Sequence, residues 1–182
     1  PVSTLCTWEY GSSRSIYNLA DAPVLARLKL PVDQFTYQIV NLDDTSQLLL
    51  GRNLVRRVAM GPFAQVRSLD RPGTRTYEAA MAIDPAAEPL TTPDGRRMVV
   101  PERVRWEIRD DGRTIGRLEA AVDTPWVYGL GAGYVAGYEI SGELTERGDL
   151  GRHELDRLRG YIEWSDTRPL ARQRAHPAAE LG

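Results

Sequence analysis

Apolar and polar residues alternate with a period of two over much of this chain, the repeat of a strand with one dry and one wet face. The run Arg103-Val104-Arg105-Trp106-Glu107-Ile108-Arg109 sets Val104, Trp106 and Ile108 against charges on every other position. Asp110-Asp111-Gly112 follows, and Asp-Gly between alternating runs is a strong hairpin signal, so residues 114–122 are expected to return as the antiparallel partner. Phe35, Tyr37 and Ile39 interleave with Gln34, Thr36 and Gln38, and Tyr77, Ala79, Met81 and Ile83 interleave with Thr76 and Glu78. In both runs the apolar set is expected to line the interior. Tyr134, Ala136, Tyr138 and Ile140 likewise share a face opposite Val135, Gly137, Glu139 and Ser141.

Strands are predicted near 5–10, 24–30, 34–42, 46–58 with a break allowed within it, 63–68, 74–83, 100–109, 113–121, 126–142 and 159–165. No strand–helix–strand alternation interrupts them, which favours an all-β, up-and-down antiparallel barrel or a sandwich over a parallel sheet. Glycines 131, 133, 137 and 142 would weaken an ordinary strand, but in a small barrel they let the sheet bend or another segment approach closely. One or two short helices are allowed. Ser15 to Leu28 carries Ile16, Leu19, Leu25 and Leu28 but is cut by Pro23, and Asp149 to Leu158 fits exposed turns over a barrel mouth. Pro85 to Gly95 reads as a long hairpin loop. Residues 1–168 form the expected domain, and 169–182, with Pro169, Pro177 and scattered arginines, a loose tail.

A chain of 182 residues can bury one real core without staples. The longest apolar runs are too short to span a bilayer, and no leader is visible after Pro1, although a start at proline is compatible with removal of an upstream piece. The lone Cys6 permits no internal disulfide and fits a reducing cytoplasm. A formal charge of -2, without a basic stripe, argues against a nucleic-acid partner. Of the 23 cations only Lys29 is a lysine, so a lysine cluster for Schiff-base chemistry is excluded. His153 and His176 have no cysteine or carboxylate at metal-ligand spacing, so no metal is expected. There is no phosphate loop, and Gly129-x-Gly131-x-Gly133 lacks the strand–helix setting of a dinucleotide site, so no cofactor is expected.

The stretch Trp126-Val127-Tyr128-Gly129-Leu130-Gly131-Ala132-Gly133-Tyr134-Val135-Ala136-Gly137-Tyr138-Glu139-Ile140-Ser141-Gly142, followed by Arg159-Gly160-Tyr161-Ile162-Glu163-Trp164, resembles the closing strands of the AttH-like and carotenoid-hydratase-like lipocalin domains. Trp8-Glu9-Tyr10-Gly11-Ser12-Ser13-Arg14 is weakly similar to their opening. Leu158-Arg159 stands where that family usually has Gly-Arg, and one barrel's length of chain stands where many members have two. The resemblance implies a calycin barrel. It also implies an activity among isoprenoid hydratases and cofactor-free cyclases, Diels–Alderases of natural-product biosynthesis included.

The candidate site follows from alternation inside such a barrel. Tyr10, Tyr37, Tyr77, Trp106, Trp126, Tyr134 and Trp164 are the expected walls for an apolar small molecule, the plainer reading of each ring being packed core. Glu139 and Glu163 lie within the resembling motif beside aromatic residues, and a carboxyl buried there would have its pKa raised and could move a proton; the alternative is that both point outward and pair with arginine. The Tyr138 hydroxyl, like those of Tyr10 and Tyr77, could polarise a guest's carbonyl. The leading expectation is a cofactor-free cyclase that folds a polyketide or isoprenoid chain within the barrel. A non-catalytic carrier of an apolar ligand is the alternative, and a barrel with a filled lumen the third. A second copy of the chain is admitted as a partner, and residues 12–30 as a lid.

Overall fold

The computed structural model describes residues 32–55, 58–93, 95–129, 133–145 and 152–174. The strands expected near 5–10 and 24–30, the helical reading of Ser15 to Leu28, the lid reading of 12–30 and the candidate Tyr10 all lie outside them.

In chain order the described strands are β1 (Val32–Asn41), β2 (Ser46–Val55), β3 (Val58–Ser68), β4 (Arg71–Pro85), β5 (Leu90–Thr91), β6 (Arg97–Met98), β7 (Pro101–Asp110), β8 (Arg113–Val122), β9 (Val127–Tyr128), β10 (Tyr134–Thr145) and β11 (Arg152–Asp166), followed by a helix, α1 (Leu170–Arg174). Eight of them pair antiparallel in the order β1-β2-β3-β4-β7-β8-β10-β11, and β11 pairs back onto β1. The sheet therefore closes into an up-and-down barrel of the lipocalin kind and leaves no long edge exposed. At eight strands the interior is just wide enough to be filled by side chains or to hold one small ligand. No described helix is long and apolar enough to cross a membrane.

The hairpin signal at Asp111-Gly112 is realised: both residues have positive φ, 48° and 73°, as a two-residue turn matched to the strand twist demands. Two expectations are corrected. Residues 126–142 do not form one strand, because Gly129 N–H donates to the Gly133 carbonyl at 2.8 Å and β9 folds back on β10, leaving Trp126 ahead of β9. Of Asp149 to Leu158, the described part from Arg152 onward belongs to β11 rather than to helical turns. Leu155 and Leu158 both meet the core, three residues apart, because a bulge shifts the register opposite Ile140 and Gly142 and puts Arg157 at φ 53°. An extra residue in a strand mimics the three-residue step of a helix.

The two ends of the barrel differ. At one end β1 passes to β2, β3 to β4 and β7 to β8 through short turns, the first held by Asp43, whose Oδ1 accepts from Thr45 N at 2.8 Å and Ser46 N at 2.7 Å. The interior there is aliphatic: Leu48, Val66, Ile108, Leu144 and Leu155. The other end carries the long connections. Residues 86–100, with the small β5–β6 hairpin, cross it, and α1 packs beneath them. The expected loose tail is thus helical over Leu170–Arg174. We call this end the mouth.

Candidate functional site

Strand β1 decides what the interior offers, and it is turned the opposite way from the expectation. Gln34, Thr36, Gln38 and Val40 are the buried positions on one face, while Phe35 and Tyr37 are only half-buried. Phe35 and Tyr37 stack at 6.4 Å between ring centroids, and Tyr37 meets Tyr161 at 6.5 Å, on the outer wall. Alternation states which residues share a face but not which face is inside. Tyr37 is therefore removed from the lumen wall, and the polar residues take its place.

Gln34 is 0% exposed, Thr36 1%, Gln38 1% and, on β2, Arg52 5%. In register, Thr36 stands between Arg52 on β2 and Trp164 on β11, and Gln34 between Leu54 and Asp166. Both lie toward the mouth. Deeper in, Gln38 spans the barrel: Trp106 Nε1 on β7 donates to Gln38 Oε1 at 2.6 Å. Neither polar side-chain atom of Gln34, nor Thr36 Oγ1, nor Gln38 Nε2 has a hydrogen-bond partner. A buried polar atom left without a partner costs about 1–3 kcal/mol, so a row of them on one interior strip is a feature that calls for a ligand, water or function.

The rings divide between wall and surface. Trp106, Trp164, Tyr134, Tyr138 and Tyr77 are buried in the interior cluster, and Trp126 packs half-buried against it. Trp164 Nε1 donates to the Val99 carbonyl at 2.9 Å, which ties the crossing segment to the mouth. Val99 N in turn donates to Gln173 Oε1 at 2.7 Å, and Gln173 Nε2 donates to the carbonyls of Asp166 and Arg168. Asp166 is buried and accepts from Arg168 at 2.9 Å and 2.6 Å, on separate oxygens. That pairing, before any other influence, raises the Arg168 pKa above the usual arginine value. Between β6, β9 and α1 lies a crevice of about 450 Å³ whose lining includes Thr92, Met98, Tyr128, Asp166, Arg168 and Gln173. Because Asp166 is the cross-strand partner of Gln34, the crevice adjoins the polar strip.

The two candidate carboxylates lie on the outer side. Glu139 accepts from Arg157 Nε at 2.9 Å and Arg159 at 3.3 Å; the Arg157 hydrogen bond is the main reason its pKa lies below the usual glutamate value, the reverse of what a buried acid would show. Glu163 shares that outward parity, flanked in register by Tyr37 and Val135. Tyr138 points inward, but its hydroxyl donates to the Ile39 carbonyl at 2.9 Å across the barrel seam, and burial pushes its pKa up. The seam stays open for it because residue 160 is glycine: a Cβ there would lie 2.6 Å from the Tyr138 oxygen and press into the Ile39 carbonyl.

The structure thus brings Trp106, Trp164, Tyr134, Tyr138 and Tyr77 together and separates Tyr37, Glu139 and Glu163 from them. Gln34, Thr36, Gln38 and Arg52 were missed. One signal for the first three was present: a water-facing strip usually carries charges, as residues 103–109 do, whereas Gln-x-Thr-x-Gln is uncharged. Among the described residues no three His, Cys, Asp or Glu side chains lie together as a metal site would require.

No curated protein matches the chain. Among solved structures, the crystal structure of kievitone hydratase from Nectria haematococca superposes with a TM-score of 0.52 at 14% identity, over 75% of this chain and 40% of that one. At this identity the likeness concerns the fold, and the chain spans about two fifths of that protein's length. A family model described as "Family of unknown function (DUF6670)" matches residues 1–178, and the chain belongs to that family.

Proposed function

We propose that the barrel takes an apolar small molecule with an oxygen-bearing end into the mouth side of its lumen. The observation that carries this is the strip of buried, unpartnered Gln34, Thr36 and Gln38 atoms beside Trp164 and Trp106. Rings supply flat apolar contact, and a few placed polar groups fix orientation, the usual division of labour in a small-molecule site. The similarity in fold to kievitone hydratase adds support for a barrel that acts as an enzyme on its guest.

Of the reactions open to such a site, cofactor-free cyclisation of one folded guest asks least of the described lining. It needs shape and a hydrogen bond to a carbonyl, and holding the reacting ends together supplies several kcal/mol of the barrier. Hydration needs a proton donor and acceptor in the lumen. Glu139 is on the outer wall, the Tyr138 hydroxyl is engaged by Ile39, and Asp166 is held by Arg168. The alternative of a carrier shares the site and differs only in the fate of the guest.

The test is titration of the full chain with retinoic acid, a conjugated polyene that absorbs where tryptophan emits. Saturable quenching that falls in Trp164→Phe supports the reading; no saturable quenching overturns it. Mass analysis of guests recovered after incubation, linear polyenes among them, separates cyclase from carrier.

A further inference from the structure

We propose that Gln34 and Thr36, at the mouth end of the polar strip, recognise a hydroxyl, so that the polar end of the guest is a neutral alcohol or enol that donates as well as accepts a hydrogen bond. This rests on the lumen-binding reading above and names the chemistry of the guest's polar end. Gln38 bonds to Trp106 across the barrel, and Gln34 and Thr36 share its parity on β1, so all three face the lumen. Two positions along a strand span about 7 Å, which leaves the long Gln34 side chain and the Thr36 hydroxyl able to meet at one oxygen. Gln38 lies about 13 Å from Gln34, beyond the reach of the same group.

What these two side chains lack is specific. The Gln34 amide needs a donor for its oxygen and an acceptor for its nitrogen and has neither, which holds whichever way the amide is turned. Its cross-strand neighbours supply nothing: Leu54 is apolar, and Arg168 engages both side-chain oxygens of Asp166. Thr36 Oγ1 is also without a partner; of its neighbours, Trp164 gives its N–H to the Val99 carbonyl and Arg52 has a contact of its own. A carbonyl or ether oxygen on the guest accepts from Thr36 or from Gln34 Nε2 but leaves Gln34 Oε1 bare. A hydroxyl donates to Gln34 Oε1 and accepts from the Thr36 hydroxyl through its lone pairs. The bare acceptor, buried at 0% exposure, is what selects the alcohol.

The experiment compares retinol with its methyl ether, one polyene with and without the donor, by quenching of tryptophan fluorescence in the full chain. A buried acceptor left without a donor predicts that wild type binds retinol about tenfold more tightly than the ether. Gln34→Leu keeps the bulk of the side chain and removes both unpartnered atoms, so it is expected to lower that preference to under about threefold while ether binding holds or tightens. Gln34→Met is read in its place if Gln34→Leu does not fold. Gln38→Leu, the same chemical change deeper on the strip, is expected to keep the preference. Equal binding of alcohol and ether by wild type overturns the hydroxyl site and leaves the lumen reading standing. A preference that survives at Gln34 reports the fit of the ether's extra methyl and overturns the site as well, as does a preference lost in Gln38→Leu. Quenching by neither guest overturns both readings.

Discussion

Trp106 and Gln38 face each other across the barrel, each 1% exposed, with a 2.6 Å hydrogen bond as the indole's polar contact and no partner for the amide nitrogen. This pair makes a sharp prediction about the interior. Trp106→Phe leaves Gln38 with neither polar atom bonded, at about 1–3 kcal/mol for the orphaned oxygen. The smaller ring adds about 1 kcal/mol of lost contact and cavity, so about 2–4 kcal/mol is expected in all. Gln38→Leu orphans the indole N–H but also removes an unpartnered amide nitrogen, and about 1–2 kcal/mol is expected. Replacing both partners by apolar groups leaves no orphan, so the double variant should lose only about 1 kcal/mol. The two changes are then non-additive by about 2 kcal/mol or more, measured as free energies from urea unfolding followed by circular dichroism. Additivity within about 0.5 kcal/mol would refute the contact across the lumen and with it the inward face of β1.

Gly160→Ala should open the seam between β1 and β11, since the added methyl meets both the Ile39 carbonyl and the Tyr138 hydroxyl; a loss of at least about 2 kcal/mol in thermal unfolding is expected. Tyr138→Phe leaves that carbonyl without its side-chain donor, costs about 1 kcal/mol, and keeps polyene quenching intact, which a catalytic or ligand-contacting hydroxyl would not. Glu107 is held below its ordinary value of 4.5, first by the hydrogen bond from Arg109 and further by Thr114 and Arg117. A lowered carboxylate pKa contributes stability in full above the unfolded value and loses it as pH falls through the folded one, so Glu107→Gln should be less stable at pH 7 and should show a flatter acid limb, the two proteins converging as pH falls below about 4.5 in urea unfolding.

Much of the barrel was legible from alternation, because a strand wet on one face writes its period into the chain. Residues 103–122 show this best: charges mark the outer face, Asp111-Gly112 marks the turn, and the structure follows both. Strand β1 shows the limit. Its outer face is apolar and its inner face is amide and hydroxyl, so hydropathy alone points the strand the wrong way. Pairing with β2 and β11 through the inward Leu50 and Ile162 decides the orientation, and that information is not local. At Leu155 and Leu158 the period itself is broken by a bulge, which no count of spacing distinguishes from a helical step. The aromatic wall was legible because Trp106, Tyr134, Tyr138 and Trp164 alternate with polar or small residues. The chemistry of the site was not, because the residues that carry it resemble a solvated face.

The most direct test is a crystal structure of the chain grown with retinoic acid. The account predicts the guest within the barrel, its oxygen-bearing end within hydrogen-bond distance of Thr36 or Gln34 and its polyene against Trp164. A structure in which Phe35 and Tyr37 point into the lumen, or in which the interior is filled by side chains and the guest lies outside the barrel, would contradict it.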